Sequence, residues 1–318
     1  MNNLSDQYSN RSITTGERLI FVGGAPRSGT TLLQNMLDSH PDIYGGPEFD
    51  RIPNIVDLRR KLQNSVRAGR IDTFCTPAQV DSALAQMVEK LLLPVADRNH
   101  RRLLSEKTPW NILGFPDLME MFPAARFVHM IRDPRAVVSS MRQVSRRARK
   151  RSVRCPDFTR DMLLAVQYVK TCHAVAATAY RMAPNRLFTL KYEDMIHHTE
   201  DTARKICAFL QIDFDGAMLD PAGKRHEGEK NIMPIWYDQE TYQSNPFPQS
   251  VEKWKTDLPH SLQAFIGYAL QNDPNFSMHG YNLSMDDISD HAKAGGRKWH
   301  EKYQSRFGTS LAGLRVLG

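Results

Sequence analysis

The sequence predicts an α/β fold, a central parallel sheet flanked by helices in a single domain. Three observations carry this. Short apolar runs at 18–23, 126–131 and 186–191 read as buried strands. Segments with helical spacing of apolar residues lie between them, and that alternation puts helices over a parallel sheet. A glycine-bounded loop joins the first run to the first helix, and no linker-like stretch divides the 318 residues.

Taken in order, the first strand at 18–23 (RLIFVG) follows a polar stretch, so 1–16 is expected to be a flexible tail. The helix at 30–39 (TTLLQNMLDS) carries Leu32, Leu33, Met36 and Leu37 at helical spacing. Residues 51–66 and 77–93 read as helices, 102–105 as a short strand, and 116–122 as the end of another helix. After the strand at 126–131 (RFVHMI), Pro134 suits the first turn of a helix over 133–141, where a missing N–H does no harm. A long helix is expected over 162–182, then the strand at 186–191 (RLFTLK). At 199–210, Ala203, Ile206, Cys207 and Leu210 share one face of an amphipathic helix. Residues 224–251 are rich in Pro, Asn, Gln and Tyr and read as irregular. Helices over 260–270 and 287–302 follow, the second within a C-terminal helical extension at 284–318, leaving 17–283 as the main domain.

Composition narrows the function. With 41% hydrophobic and 24% charged residues the chain is globular rather than disordered. No run approaches the roughly 18 apolar residues of a membrane span. Residues 1–15 lack the apolar core of a secretory signal, so a cytoplasmic location is expected. Cys75, Cys155, Cys172 and Cys207 are scattered and read as free thiols. The histidines form no ligand cluster, and no metal is expected. A net charge of +7 suits an anionic ligand. Arg142, Arg146, Arg147, Arg149, Lys150, Arg151 and Arg154 crowd one stretch. Without interleaved aromatics it does not read as a nucleic-acid site. It reads either as a solvated, partly mobile basic segment or as a strip that steers an acidic substrate.

Gly24-x-x-x-x-Gly29-Thr30-Thr31 fits a P-loop frame, with Thr30 where a nucleoside-triphosphate enzyme needs lysine. Glycines let backbone N–H groups turn inward, and the following helix adds its positive end. Arg27 supplies a cation, and Thr30 and Thr31 supply hydroxyls. The central sheet is therefore of P-loop type, and its site suits a compact anion. Arg132 ends the strand at 126–131, on the edge where open α/β sheets bind ligands. Ser140 lies about two helical turns further on. On spacing alone, Arg132 equally suits a structural salt bridge.

PRSGTTLL, followed by a strand ending in RDPRAVVSS, resembles the paired motifs of the sulfotransferase superfamily, which uses 3′-phosphoadenosine-5′-phosphosulfate (PAPS). The run RSGTTLLQNMLDSHPDIYGGPEFDRIPNI is similar to the tyrosylprotein sulfotransferase branch, and Glu106-Lys107-Thr108-Pro109, Lys191-Tyr192-Glu193 and Val251-Glu252-Lys253-Trp254 have counterparts there. The resemblance implies that Pro26, Arg27, Ser28, Gly29, Thr30 and Thr31 cradle the 5′-phosphate. It implies that Arg132 and Ser140 hold the 3′-phosphate, with Tyr192 and Lys253 near the nucleotide. Glu48 falls on the catalytic base, Lys107 on the lysine that stabilises the leaving group, and Arg27 on the departing phosphate. His40 and His129 are alternative bases, since other sulfotransferases use histidine. The branch pattern acidic-acidic-Thr-Arg is Pro47-Glu48-Phe49-Asp50 here, so a substrate-side arginine is lost or moved to Arg51. Gly45 stands where the branch has a disulfide cysteine. The implied reaction moves a sulfuryl group from PAPS to an acceptor hydroxyl: a peptide tyrosine, or else a glycan, a lipid or a small metabolite. Remoter readings are a P-loop kinase, with Asp133 holding a metal, and a non-catalytic nucleotide- or glycan-binding protein.

Overall fold

In a computed structural model of the chain, five parallel strands form one sheet among the described residues, which are 14–224, 226, 235–236 and 248–308. Most of the expected N-terminal tail, most of the irregular stretch at 224–251 and the last ten residues of the C-terminal extension lie outside them. The strands are β1 (Leu19–Gly24), β2 (Ile43–Tyr44), β3 (Leu103–Lys107), β4 (Arg126–Ile131) and β5 (Leu187–Lys191), in the order β2-β3-β1-β4-β5. The helices up to residue 210 are α1 (Thr30–Ser39), α2 (Ile52–Arg67), α3 (Pro77–Arg98), α4 (Phe115–Met121), α5 (Pro134–Lys150), α6 (Asp157–Arg160), α7 (Met162–Met182), α8 (Tyr192–His197) and α9 (Thr199–Leu210).

Both sheet faces are covered, which is why β1 is an unbroken apolar run rather than an alternating one. Successive β1 side chains still alternate between two cores. Phe21 meets Phe122 and Phe127, with ring centroids 5.2 and 5.5 Å away, on the side of α7. Ile20 and Val22 meet Leu33, Met36 and Leu37 of α1 on the other side. There the predicted face of α9, Ala203, Ile206, Cys207 and Leu210, is buried as well.

Topology selects the functional edge. The chain leaves β1 through α1 toward β2, on one side of the sheet order, and leaves β4 through α5 and α7 toward β5, on the other. The crevice beyond the C-terminal ends of β1 and β4 is thus the switch point where such sheets bind ligands. The glycine loop and Arg132 both open onto it.

Several elements differ from expectation. The short strand at 102–105 runs on through Lys107, because its ladder with β1 continues to the Val22–Lys107 pair. β2 has two residues and pairs only with β3, too little for a sequence pattern to mark. α3 continues past Pro94 to Arg98, with Ala96 of its last turn buried in the core. α5 extends to Lys150, so most of the basic stretch at 142–154 is ordered helix rather than partly mobile chain. The reason is Val144 and Ala148, one turn apart, which pack against Ile235. In the 284–318 stretch, the helix Asp290–Phe307 packs into the domain, with Tyr303 Oη donating to Gln167 Oε1 of α7 at 2.6 Å.

Candidate active site

The loop after β1 turns through two left-handed residues, Arg27 (φ 77°) and Gly29 (φ 104°). A Cβ on Gly29 would lie 2.4 Å from the Tyr192 ring, so this position needs glycine for both backbone and space. Ser28 N–H donates to Ala25 O at 3.0 Å and closes the turn. Gly29 is the N-cap of α1, with no side-chain cap and no acid in the first turn, so the helix presents its N–H groups to the loop. Ser28 Oγ is buried and has no partner among the described residues. An uncapped helix start beside an unpartnered buried hydroxyl fits an anion.

The second cation converges on the same place. Arg132 leaves β4 and stacks its guanidinium 4.0 Å over Tyr192, the first residue of α8. Its Nη1 donates to Arg27 O at 3.4 Å and its Nη2 to Ser250 O at 2.6 Å, while its buried Nε has no partner among the described residues. Burial pushes its pKa below the usual arginine value. Tyr192 Oη and Ser250 Oγ share a hydrogen bond of 2.6 Å. Ser140 reaches the loop directly, accepting from Arg27 Nε at 3.0 Å, because α5 starts at Pro134 and runs beside the loop. Behind Arg132, Glu193 accepts from Asp133 N–H at 2.9 Å and from Tyr281 Oη at 2.8 Å, which fixes the turn. Asp133 caps α5 and pairs with Arg135 at 2.7 Å, so its carboxylate is already engaged.

On the β3 side, Lys107 joins the loop to Glu48. Its Nζ donates to Glu48 Oε1 at 2.5 Å and lies 3.5 Å from Thr31 Oγ1. Lys107 is almost fully buried, and Glu48 is about one-fifth exposed. The neighbouring Glu106 is buried and accepts from Thr108 Oγ1 at 2.7 Å, from Phe49 N–H at 3.1 Å and from Asn111 Nδ2. Burial pushes its carboxyl above the usual range, opposed by those donors.

Of the predicted residues, Pro26 to Thr31, Arg132, Ser140, Tyr192, Glu48 and Lys107 therefore line one edge of the sheet. Lys253 does not join them: it is exposed, between the short helices Gln249–Glu252 and Trp254–Asp257, and the contact to the cluster comes from Ser250. Neither histidine sits as a base. His40 has both ring nitrogens engaged, with Asp213 O at 2.8 Å and Asp42 N–H at 3.0 Å. His129 is buried against His173 of α7, with ring centroids 5.5 Å apart, and burial holds its pKa well below the usual value. Sequence reasoning assigned no role to Glu106, Glu193 or Ser250. Glu106 lies in the mixed stretch LLSEK, just past the expected strand, and carries no local signal that sets it apart. Ser250 lies in a stretch without periodicity and offered none.

A family model described as the sulfotransferase family matches residues 19–216. Protein-tyrosine sulfotransferase A of Caenorhabditis elegans is 32% identical over 206 residues, covering 63% of this chain and 51% of that protein. Protein-tyrosine sulfotransferase 1 of Danio rerio is 31% identical over 203 residues, covering 63% and 55%. The chain thus spans about half the length of these curated relatives. The sulfotransferase domain of a Synechococcus olefin synthase superposes with a TM-score of 0.54 at 24% identity, over 79% of this chain and 91% of that one. A sulfotransferase domain from the curacin biosynthetic pathway gives 0.55 at 17%, over 94% and 100%. These two likenesses concern the fold alone.

Proposed function

The chain belongs to the sulfotransferase family, and from that premise we propose that it transfers a sulfuryl group from PAPS to an acceptor hydroxyl, with a peptide tyrosine as the acceptor. One observation carries the reading: Lys107 Nζ bridges the Glu48 carboxylate, at 2.5 Å, and the Thr31 hydroxyl, at 3.5 Å, beside the glycine loop. PAPS, when bound, supplies the activated sulfuryl group.

The 5′-phosphate side is held by the N–H groups at the start of α1, the Ser28, Thr30 and Thr31 hydroxyls and Arg27. Arg132 and Ser140 take the 3′-phosphate. Glu48 accepts the proton of the attacking hydroxyl. Lys107 and Arg27 neutralise charge gathering on the departing phosphate oxygen, as positioned cations do in related in-line transfers. The kinase reading has less support, because Thr30 replaces the P-loop lysine and Asp133 is committed to Arg135. Tyrosine is preferred as acceptor because both curated relatives are named for it.

The test is incubation with labelled PAPS and a panel of acceptors: acidic tyrosine peptides, a glycan, a lipid and a small phenol. Label on the tyrosyl oxygen supports the proposal. Label only on another acceptor moves the substrate assignment, and tighter binding of ATP with magnesium than of PAP overturns the reaction class.

A further inference from the structure

We propose that Glu106 is a positioning residue whose carboxylate fixes the loop presenting Glu48; the inference rests on Glu48 being the base of the reaction proposed above. Three consecutive residues, the last two of β3 and the one after it, grip three consecutive residues of that loop. Lys107 holds the Glu48 side chain at 2.5 Å, Glu106 accepts the Phe49 N–H at 3.1 Å, and Thr108 Oγ1 accepts the Asp50 N–H at 3.3 Å. Strand alternation makes the grip two-sided. Ser105 and Lys107 face α1, where they meet Gln34 and Thr31, while Glu106 faces the turn at 109–114 and meets Asn111.

The loop needs the grip. Asp50 has a φ of 58°, in the left-handed region, and such a residue persists only where its surroundings hold it. Its N–H bond runs to Thr108, whose own hydroxyl proton goes to Glu106 at 2.7 Å. Glu106 is thus the common end of both backbone ties, to Phe49 directly and to Asp50 through Thr108. A buried carboxylate is costly unless paired or hydrogen-bonded. Here its donors come from the loop and from the 108–111 turn, so the bonds that keep Glu106 in the interior also set where Glu48 points.

Two substitutions separate the tie from the charge. Glu106→Gln keeps an oxygen for Phe49 N–H, and its turnover is expected within about threefold of the parent. Glu106→Leu loses that oxygen, and kcat is expected to fall about 100-fold with KM for PAPS unchanged, the scale of a misplaced catalytic group. Thr108→Val, a milder change should the leucine variant not fold, should lower kcat in the same direction, and Thr108→Ser should restore it. Hydrogen exchange at the Phe49 and Asp50 amides should quicken in the leucine and valine variants. Unchanged exchange in a folded leucine or valine variant overturns the proposal. So does a kcat loss in Glu106→Gln matching that of Glu106→Leu, or a fall in kcat matched by a rise in KM for PAPS and a drop in Tm. The exchange measurement needs no acceptor. An inactive parent enzyme therefore counts against the proposed reaction, while the exchange result still decides the tie.

Discussion

Lys107 Nζ lies 2.5 Å from Glu48 Oε1, although 59 residues separate them in the chain. The pair places a carboxylate and an ammonium side by side next to the first turn of α1. It also means that neither residue is altered without disturbing the other.

Glu48→Gln is accordingly expected to lower kcat by about 10²–10⁴-fold, the usual worth of a general base, while PAP binds as before. Lys107→Met should also lower kcat. The double variant should lose much less than the product of the two single losses, because the residues act as a unit. Steady-state kinetics with calorimetric PAP titration checks all three, and strictly multiplicative losses would refute the coupling.

Gly29→Ala meets two obstacles, a φ of 104° and the Tyr192 ring 2.4 Å from the new carbon. We expect a stability loss of about 1–3 kcal/mol, the cost of a strained left-handed residue, together with weaker PAP binding. Thermal melts and a PAP titration read the two effects separately. An unchanged Kd would mean that Tyr192 moves aside freely.

Acid should destabilise the fold through two histidines outside the site. His129 and His173 are buried, and burial lowers their pKa values, that of His173 to about 3. The unfolded chain then binds more protons than the native one below the ordinary histidine value of about 6.5. Their contribution is complete above that pH and is lost progressively as pH falls; for His173 the loss continues toward about pH 3, at up to about 1.4 kcal/mol per pH unit. Urea unfolding at pH 7 and pH 5 should show a smaller difference in His173→Phe than in the parent. An identical difference would remove His173 from the account.

Arg59 on α2 is buried among Asp81, Asp117 and Glu120, at 2.7, 2.7 and 2.5 Å. These partners push its pKa further up, against its burial. Arg59→Leu removes the buried cation and leaves Arg60 on Asp117 and Gln63 on Asp81, so the loss is expected below the roughly 3–5 kcal/mol of a fully buried broken pair, at about 1–3 kcal/mol. Urea midpoints should show it, with the donor site unaffected in whatever fraction stays folded. A loss below about 1 kcal/mol would place these ion pairs with weak surface ones.

Much of the glycine loop and its flanking elements was legible in the chain. The Gly24-to-Thr31 frame, with an apolar strand before it and a periodic helix after it, specifies a strand, a tight turn and an open helix start. All of these are local properties. Arg132 was legible as the end of a strand, though not as a partner of Ser250. That the basic stretch at 142–154 is helix through Lys150 was not legible, because Val144 and Ala148 find their cover at Ile235, far along the chain. Glu106 and Glu193 carry no local mark of function: what they do depends on which backbone N–H or hydroxyl comes to rest beside them.

By itself the sequence determined the α/β alternation and the strand, glycine loop and helix from Leu19 to Ser39, because hydrophobic period and glycine freedom act over a few residues. The tertiary structure alone decided that Lys107 reaches Glu48 and Thr31, that Ser140 meets Arg27, and that Glu106 holds the Glu48 loop. Those contacts follow from the pairing of β3 and β4 on either side of β1. Strand order and register are settled by packing across the whole sheet, which no local window of sequence contains.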